Sequence, residues 1–202
     1  AETGANAESE QIWLDCVRRF ASPSGGLDSS GSVRRLQAAA ARFPRSAAIQ
    51  LLLGDAYQIA RRWPQANASY RLAMAAAPQW AKPRVNFGVA LLAQGKPDEA
   101  VRALEEGLSK DPGNVRARLA FGDAQLQSRR VKDALSTYQG LEKNPEVGAA
   151  ASIGAGRASL QMGDEGRATD FFRNAQRLAP RDPAPLIAMG ELAPEEAMRI
   201  VP

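Results

Sequence analysis

Apolar side chains recur along this chain at the spacing of one helix face, stop at a polar break, and start again. Val85, Val89 and Leu92 form one such run and share one side of a helix. Gly95-Lys96-Pro97 then interrupts it, and Asp98-Glu99 follow, where acidic side chains meet the positive end of a new helix. Pro112 closes that second segment, and Asn114 is placed to cap a third. This is the pattern of a helical hairpin leading into the next hairpin. No Val/Ile/Thr-rich alternating run appears, so strands are not expected.

The hairpins recur at a fixed interval. Gly54, Gly88, Gly122, Gly156 and Gly190 stand 34 residues apart, and the rest of the frame moves with them. Twelve residues after the first four glycines come Ala66, Ala100, Ala134 and Ala168, and four further on come Tyr70, Leu104, Tyr138 and Phe172. Pro78, Pro112 and Pro180 close three of the units, with Pro145 one residue early in the third. Small residues such as Gly88 and Ala100 let two helices approach closely, and Leu104 or the equivalent aromatic is expected to fill the space between adjacent units. A single hairpin cannot bury its own apolar faces, so each must stack on its neighbours.

With these positions in register, the chain resembles the tetratricopeptide-repeat family. The interval 47–80 carries the pattern most fully: Leu53-Gly54, Tyr57, Ala66, Tyr70, Ala73 and Pro78 all match. Later units depart from it, with Leu91, Gln125 and Ser159 in place of the early aromatic, and Gly107 and Leu141 in place of the late alanine. The resemblance covers residues 47 to 190 and implies an all-α fold, a right-handed α-solenoid of helix-turn-helix hairpins. Full repeats are expected at 47–80, 81–114, 115–148 and 149–182, between two partial units. The N-terminal one, 11–46, reads as a degenerate capping hairpin: Trp13, Val17 and Phe20 share one face, Val33, Leu36 and Ala40 another, and a long Gly/Ser-rich loop spans 22–32. The polar segment 1–10 is expected to be poorly ordered, and 183–202 to form a partial C-terminal capping repeat.

Composition agrees with packed helices. Hydrophobic residues make up 45% of the chain and aromatics only 6%, so the apolar content is mostly Ala and Leu. The net charge of +4 is spread along the chain rather than clustered, and the arginines lack interleaved aromatics for base stacking, which argues against nucleic acid. Cys16 is the one cysteine, so no intrachain disulfide forms; beside Trp13, Val17 and Phe20 it reads as a buried thiol. No stretch of apolar residues is long enough to span a membrane. A first residue of Ala rather than Met fits either a processed chain or a fragment of a longer one, and with Arg favoured over Lys and abundant Ala the expectation is a bacterial protein, with the periplasm or envelope favoured over the cytoplasm.

Catalytic constellations find few of their parts. The chain has no histidine, which removes Ser-His-Asp and Cys-His mechanisms and the commonest zinc ligand sets; no metal and no cofactor are expected. Asp98-Glu99 and Glu105-Glu106 sit at a helix start or an exposed face, without an apolar pocket to raise a pKa. Gly154-Ala155-Gly156 opens like a dinucleotide fingerprint, but Ser159 stands at the third glycine and the repeat frame places the segment inside a helix. The reading is therefore a non-enzymatic protein.

Function then falls on surfaces. In the family the resemblance names, repeat positions 2, 5, 6, 9 and 12 of the first helices line a concave groove for a peptide. Carried onto this chain, they give Leu51, Asp55, Lys82, Val85, Asn86, Val89, Arg116, Leu119, Asp123, Ile153 and Arg157. Val85, Val89, Leu119 and Ile153 offer apolar contacts, Lys82 and Arg116 suit an acidic segment, and the Asn86 amide suits a client backbone. Asn86 and Arg116 also coincide with members of the carboxylate clamp of chaperone-binding tetratricopeptide domains, but Leu51, Asp55 and Ala120 replace its other residues. The expectation is a scaffold or adaptor that binds a peptide or protein segment. The alternatives are a self-assembling envelope or secretion-machine subunit and, more distantly, a nucleic-acid binder.

Overall fold

The computed structural model describes residues 29–191, and every regular element among them is a helix. The expectations placed on Trp13, Cys16, Val17, Phe20, the segment 1–10 and the chain after residue 191 lie outside the described residues. The chain divides into two compact units, Ala1–Gln94 and Gly95–Pro202, so the division falls inside the 81–114 interval rather than at a repeat boundary. No helix among the described residues is long and apolar enough to cross a membrane.

In the first unit the helices are α1 (Ser29–Arg42), α2 (Ala47–Ile59), α3 (Trp63–Ala76) and α4 (Ala81–Ala93). The Ser46 hydroxyl accepts from the Ile49 N–H at 3.3 Å and starts α2, while Pro64 occupies the first turn of α3, where a missing N–H costs nothing. Val33 and Leu36 of α1, Leu51, Leu53 and Tyr57 of α2, Ala66, Tyr70 and Ala73 of α3, and Ala90 of α4 form one core. One boundary differs from expectation: Gly31 and Ser32 belong to α1, not to a loop ending at residue 32. A first helical turn leaves its N–H groups unpaired in any case, so Gly and Ser cost little there, and burial of Val33 and Leu36 just downstream favours extending the helix.

The second unit runs α5 (Pro97–Lys110), α6 (Val115–Gln127), α7 (Val131–Gln139), α8 (Gly148–Gln161), α9 (Glu165–Leu178) and α10 (Ala184–Met189). Pro97, Asp98 and Glu99 occupy the first turn of α5, and the Asn114 side chain accepts from the Ala117 N–H at 2.9 Å to cap α6, both as the sequence implies. Helix α7 is short because Gly140 ends it; Leu141 then turns into the core beside Tyr138, and Asn144 accepts from the N–H groups of Glu146 and Val147 ahead of α8.

Two features recur with the repeat. Arg61, Gly95, Arg129 and Gly163, again 34 residues apart, all have left-handed backbone, with φ of 54°, 70°, 62° and 79°. At three of these turns the next residue's N–H reaches back five residues, Arg62 to the Tyr57 carbonyl, Arg130 to Gln125 and Asp164 to Ser159, which satisfies a carbonyl at the helix end. The second feature is the seat of the repeated aromatic, which meets the next repeat as expected, Tyr70 facing Phe87 at 6.2 Å and Tyr138 lying against Gly154, and also packs on its own hairpin. Within each of three hairpins the ring lies on the glycine of its own first helix: Tyr70 on Gly54, Tyr138 on Gly122 and Phe172 on Gly156.

Candidate functional site

The glycine contacts decide where the tyrosine hydroxyls go. With its ring resting on Gly54, Tyr70 brings its Oη to 2.8 Å from Asp55 Oδ1 and 2.7 Å from Gln58 Oε1, both half-buried on α2. A phenol carries one proton, and the charged carboxylate is the stronger acceptor. From α4, Asn86 Nδ2 donates to the same Asp55 Oδ1 at 2.8 Å. Burial raises the Asp55 carboxyl above its ordinary value, while the bonds from Tyr70 and Asn86 and the charge of Lys82 act in the opposite direction.

In the second unit the pairing returns 68 residues later: Tyr138 Oη donates to Asp123 Oδ1 at 2.7 Å. Burial raises this carboxyl too, against the bond from Tyr138 and the charge of Arg157, but Asp123 keeps an exposed edge where water weakens the effect. Both tyrosines are pushed above the ordinary phenol range, first by burial and then by the adjacent carboxylate.

The predicted site residues fall into groups. Asp55 and Asn86 are joined by a hydrogen bond, and exposed Lys82 stands within electrostatic reach of Asp55. Val85 is half-buried and Val89 is 37% exposed on the same helix, α4. In the second unit Arg116 pairs with Glu146, and Arg157 pairs with Glu191 through Nη2 at 2.7 Å and Nε at 3.0 Å. Hydrogen bonding to Glu191 raises the Arg157 pKa. Leu119 is half-buried; Leu51 and Ile153, only 3% and 9% exposed, belong to the cores of their units and present little surface to a ligand.

Sequence reasoning did not nominate Tyr70, Tyr138, Glu146 or Glu191 for this surface. A signal was present for three of them. Asp55 and Tyr70 recur as Asp123 and Tyr138 at twice the repeat, and Glu191 stands one repeat beyond Arg157. Glu146 reaches Arg116 from the irregular segment before α8 and has no such register.

Two family models, each described as tetratricopeptide repeat, match residues 28–79 and 91–152. A curated relative, the protein CTR9 homolog of Arabidopsis thaliana, is 30% identical over 107 residues, 52% of this chain; the chain spans 10% of that relative's length. Among solved structures, that of Pseudomonas aeruginosa pilF aligns with a TM-score of 0.77 at 17% identity, over 97% of this chain and 90% of that one. The structure of YrrB, described as a TPR protein with an unusual peptide-binding site, aligns at 0.71 with 18% identity, over 95% and 98% of the two chains. A MamA fragment from Desulfovibrio magneticus aligns at 0.73 with 16% identity, over 84% and 94%. At these identities the likeness shows the fold, an α-solenoid.

Proposed function

We propose, from the premise that this chain belongs to the tetratricopeptide-repeat family, that it is a non-catalytic adaptor whose first-helix faces bind a segment of a partner protein. Proteins of this family are in general scaffolds for protein–protein contact, and YrrB, similar in fold, is described as having an unusual peptide-binding site. The observation that supports the reading here is prearrangement of polar groups on those faces. Asp55 is held by Tyr70 and Asn86, and Asp123 by Tyr138, so a partner meets carboxylates whose ordering cost has already been met in folding.

The reading changes the role of Asn86. Its amide nitrogen is engaged with Asp55 in the free chain, which leaves Oδ1 as the acceptor for a client backbone N–H. Peptide display followed by calorimetry on the selected segment tests the proposal, comparing the wild type with Lys82→Glu, Asn86→Ala and a control on α5, Arg102→Glu. Affinity should fall for one or both first-helix variants and stay unchanged for Arg102→Glu; equal affinity throughout would remove the first-helix faces as the site.

Leu178, Leu186 and Ile187, all exposed near the end of the described residues, favour a second reading in which the chain self-associates. Light scattering across a concentration series separates the two: a mass that rises with concentration, and reverts in Ile187→Glu, supports association.

A further inference from the structure

The two aspartate–tyrosine pairs are alike except for what stands beside the carboxylate. Asn86, 31 residues after Asp55, donates its amide to Asp55 Oδ1. The residue 31 after Asp123 is Gly154. Gly154 lies against the same phenol that holds Asp123: a β-carbon there would be 2.5 Å from both Cε1 and Cζ of Tyr138. It therefore has the place of Asn86 next to the pair, but no side chain to offer. Asp55 is half-buried and Asp123 is exposed, as that difference requires.

The nearby cations do not make up for it. Arg157, which bears on Asp123 electrostatically, is engaged in a two-pronged pair with Glu191, and Arg116 is engaged with Glu146. Asp123, Arg157 and Glu191 follow one another at single-repeat intervals with charges −, + and −, a column that is net negative by one. Leu119, one turn before Asp123 on the same face of α6, is half-buried and offers apolar surface beside the carboxylate.

We propose that Asp123 recognises a cationic side chain, lysine or arginine, of the protein segment bound by the second unit, with a client N–H group standing on its carboxylate as the Asn86 amide stands on Asp55. The proposal rests on the protein-binding reading above and specifies its chemistry: the partner of this unit is basic, not acidic. Tyr138 fixes the carboxylate, so a client cation meets an oriented acceptor, and Leu119 packs the aliphatic stem that carries the charge.

The test uses fluorescence anisotropy with labelled pools of short peptides, each with a central Arg, Lys, Gln or Glu among Ala and Leu. Wild type, Asp123→Asn and a control on an exposed position of α7, Asp133→Asn, are compared. Asparagine keeps an acceptor for Tyr138, and a circular-dichroism melt checks that the variant is folded. Wild type and Asp133→Asn should bind the Arg and Lys pools about tenfold more tightly than the Glu pool, and Asp123→Asn should lose that margin. Amide resonances of Gly122, Asp123 and Gly154 should shift on adding the Arg pool. A preference for Glu, no preference, or an Arg preference that survives in Asp123→Asn overturns this proposal and leaves the protein-binding reading standing. Failure of every pool to bind any of the three proteins overturns both.

Discussion

The ring of Tyr138 lies so close to Gly122 that a β-carbon at that glycine would stand 2.7 Å from Cε1. Gly54 has the same relation to Tyr70 at 2.7 Å, and Gly156 to Phe172 at 2.4 Å. All three rings are fully buried, so none can step aside without opening a core. Alanine is a better helix former than glycine by about 0.5–1 kcal/mol. Overpacking a tight core costs about 1–3 kcal/mol, which is the larger effect. Gly122→Ala and Gly156→Ala should each therefore lower stability in urea unfolding. Gly166→Ala, in the exposed first turn of α9 with its nearest neighbour at 3.8 Å, should be neutral or stabilising. Equal effects at the three sites would mean the rings are not held as described.

The left-handed turn residues make a prediction of a different kind, because packing plays no part in it. No atom lies within 4 Å of a β-carbon built on Gly95 or Gly163, so replacing either by alanine tests the backbone alone. A side chain in that conformation costs roughly 1–2 kcal/mol. Gly95→Ala and Gly163→Ala should lower stability by about 1 kcal/mol each. Arg61→Gly and Arg129→Gly relieve the same strain but loosen the unfolded chain by about 0.4–1 kcal/mol, so they should be close to neutral or slightly stabilising. Chemical unfolding midpoints for the four variants check the sign; destabilisation by both arginine replacements would show that their side chains matter more than their φ.

Much of the fold was legible because the repeat reports each position several times over. Gly95-Lys96-Pro97 announced a turn, and the same turn at Arg61 and Arg129 carries no glycine but is fixed by register with Gly95 and Gly163. The start of α1 was not legible, since the Ser/Gly-rich run reads equally well as a loop or a first turn until the burial of Val33 and Leu36 is known. For the candidate surface, sequence supplied the column of positions but not the partners. That Asn86 is engaged by Asp55, and Arg157 by Glu191, depends on side-chain reach between successive repeats, which a one-dimensional pattern does not encode. Leu51 and Ile153 were assigned to the groove by position, whereas in the structure their side chains pack into the cores of their units.

Ala100 is fully buried in α5, with no exposed surface. Leucine at that position adds three carbons where the core has no room, so Ala100→Leu should cost about 1–3 kcal/mol. Lys96, one turn earlier, is exposed and pairs with Glu99 at 3.6 Å, a surface contact worth little. Lys96→Ala should change stability by less than about 0.5 kcal/mol. Thermal melts of the two variants beside the wild type are sufficient; an unchanged melting temperature in Ala100→Leu would mean that helix packing yields at this point.

The tyrosine–aspartate pairs predict how the protein responds to alkali. Tyr70 and Tyr138 both have phenol pKa values raised above the ordinary 10.0, because burial and the neighbouring carboxylate disfavour the phenolate. The unfolded chain releases these protons near the ordinary value while the folded chain holds them. The stability they confer is therefore fully present below about pH 10 and is lost as pH rises above it. Tyr138→Phe removes one proton from that linkage, leaves Asp123 without its donor, and keeps the ring on Gly122. Near neutral pH it should destabilise by about 1–2 kcal/mol through the lost bond to a charged acceptor. From pH 10 upward its stability should fall less steeply than that of the wild type, so the two curves converge. Urea unfolding at a series of pH values measures the slopes directly, and parallel curves would show that Tyr138 ionises in the folded chain as readily as in the unfolded one.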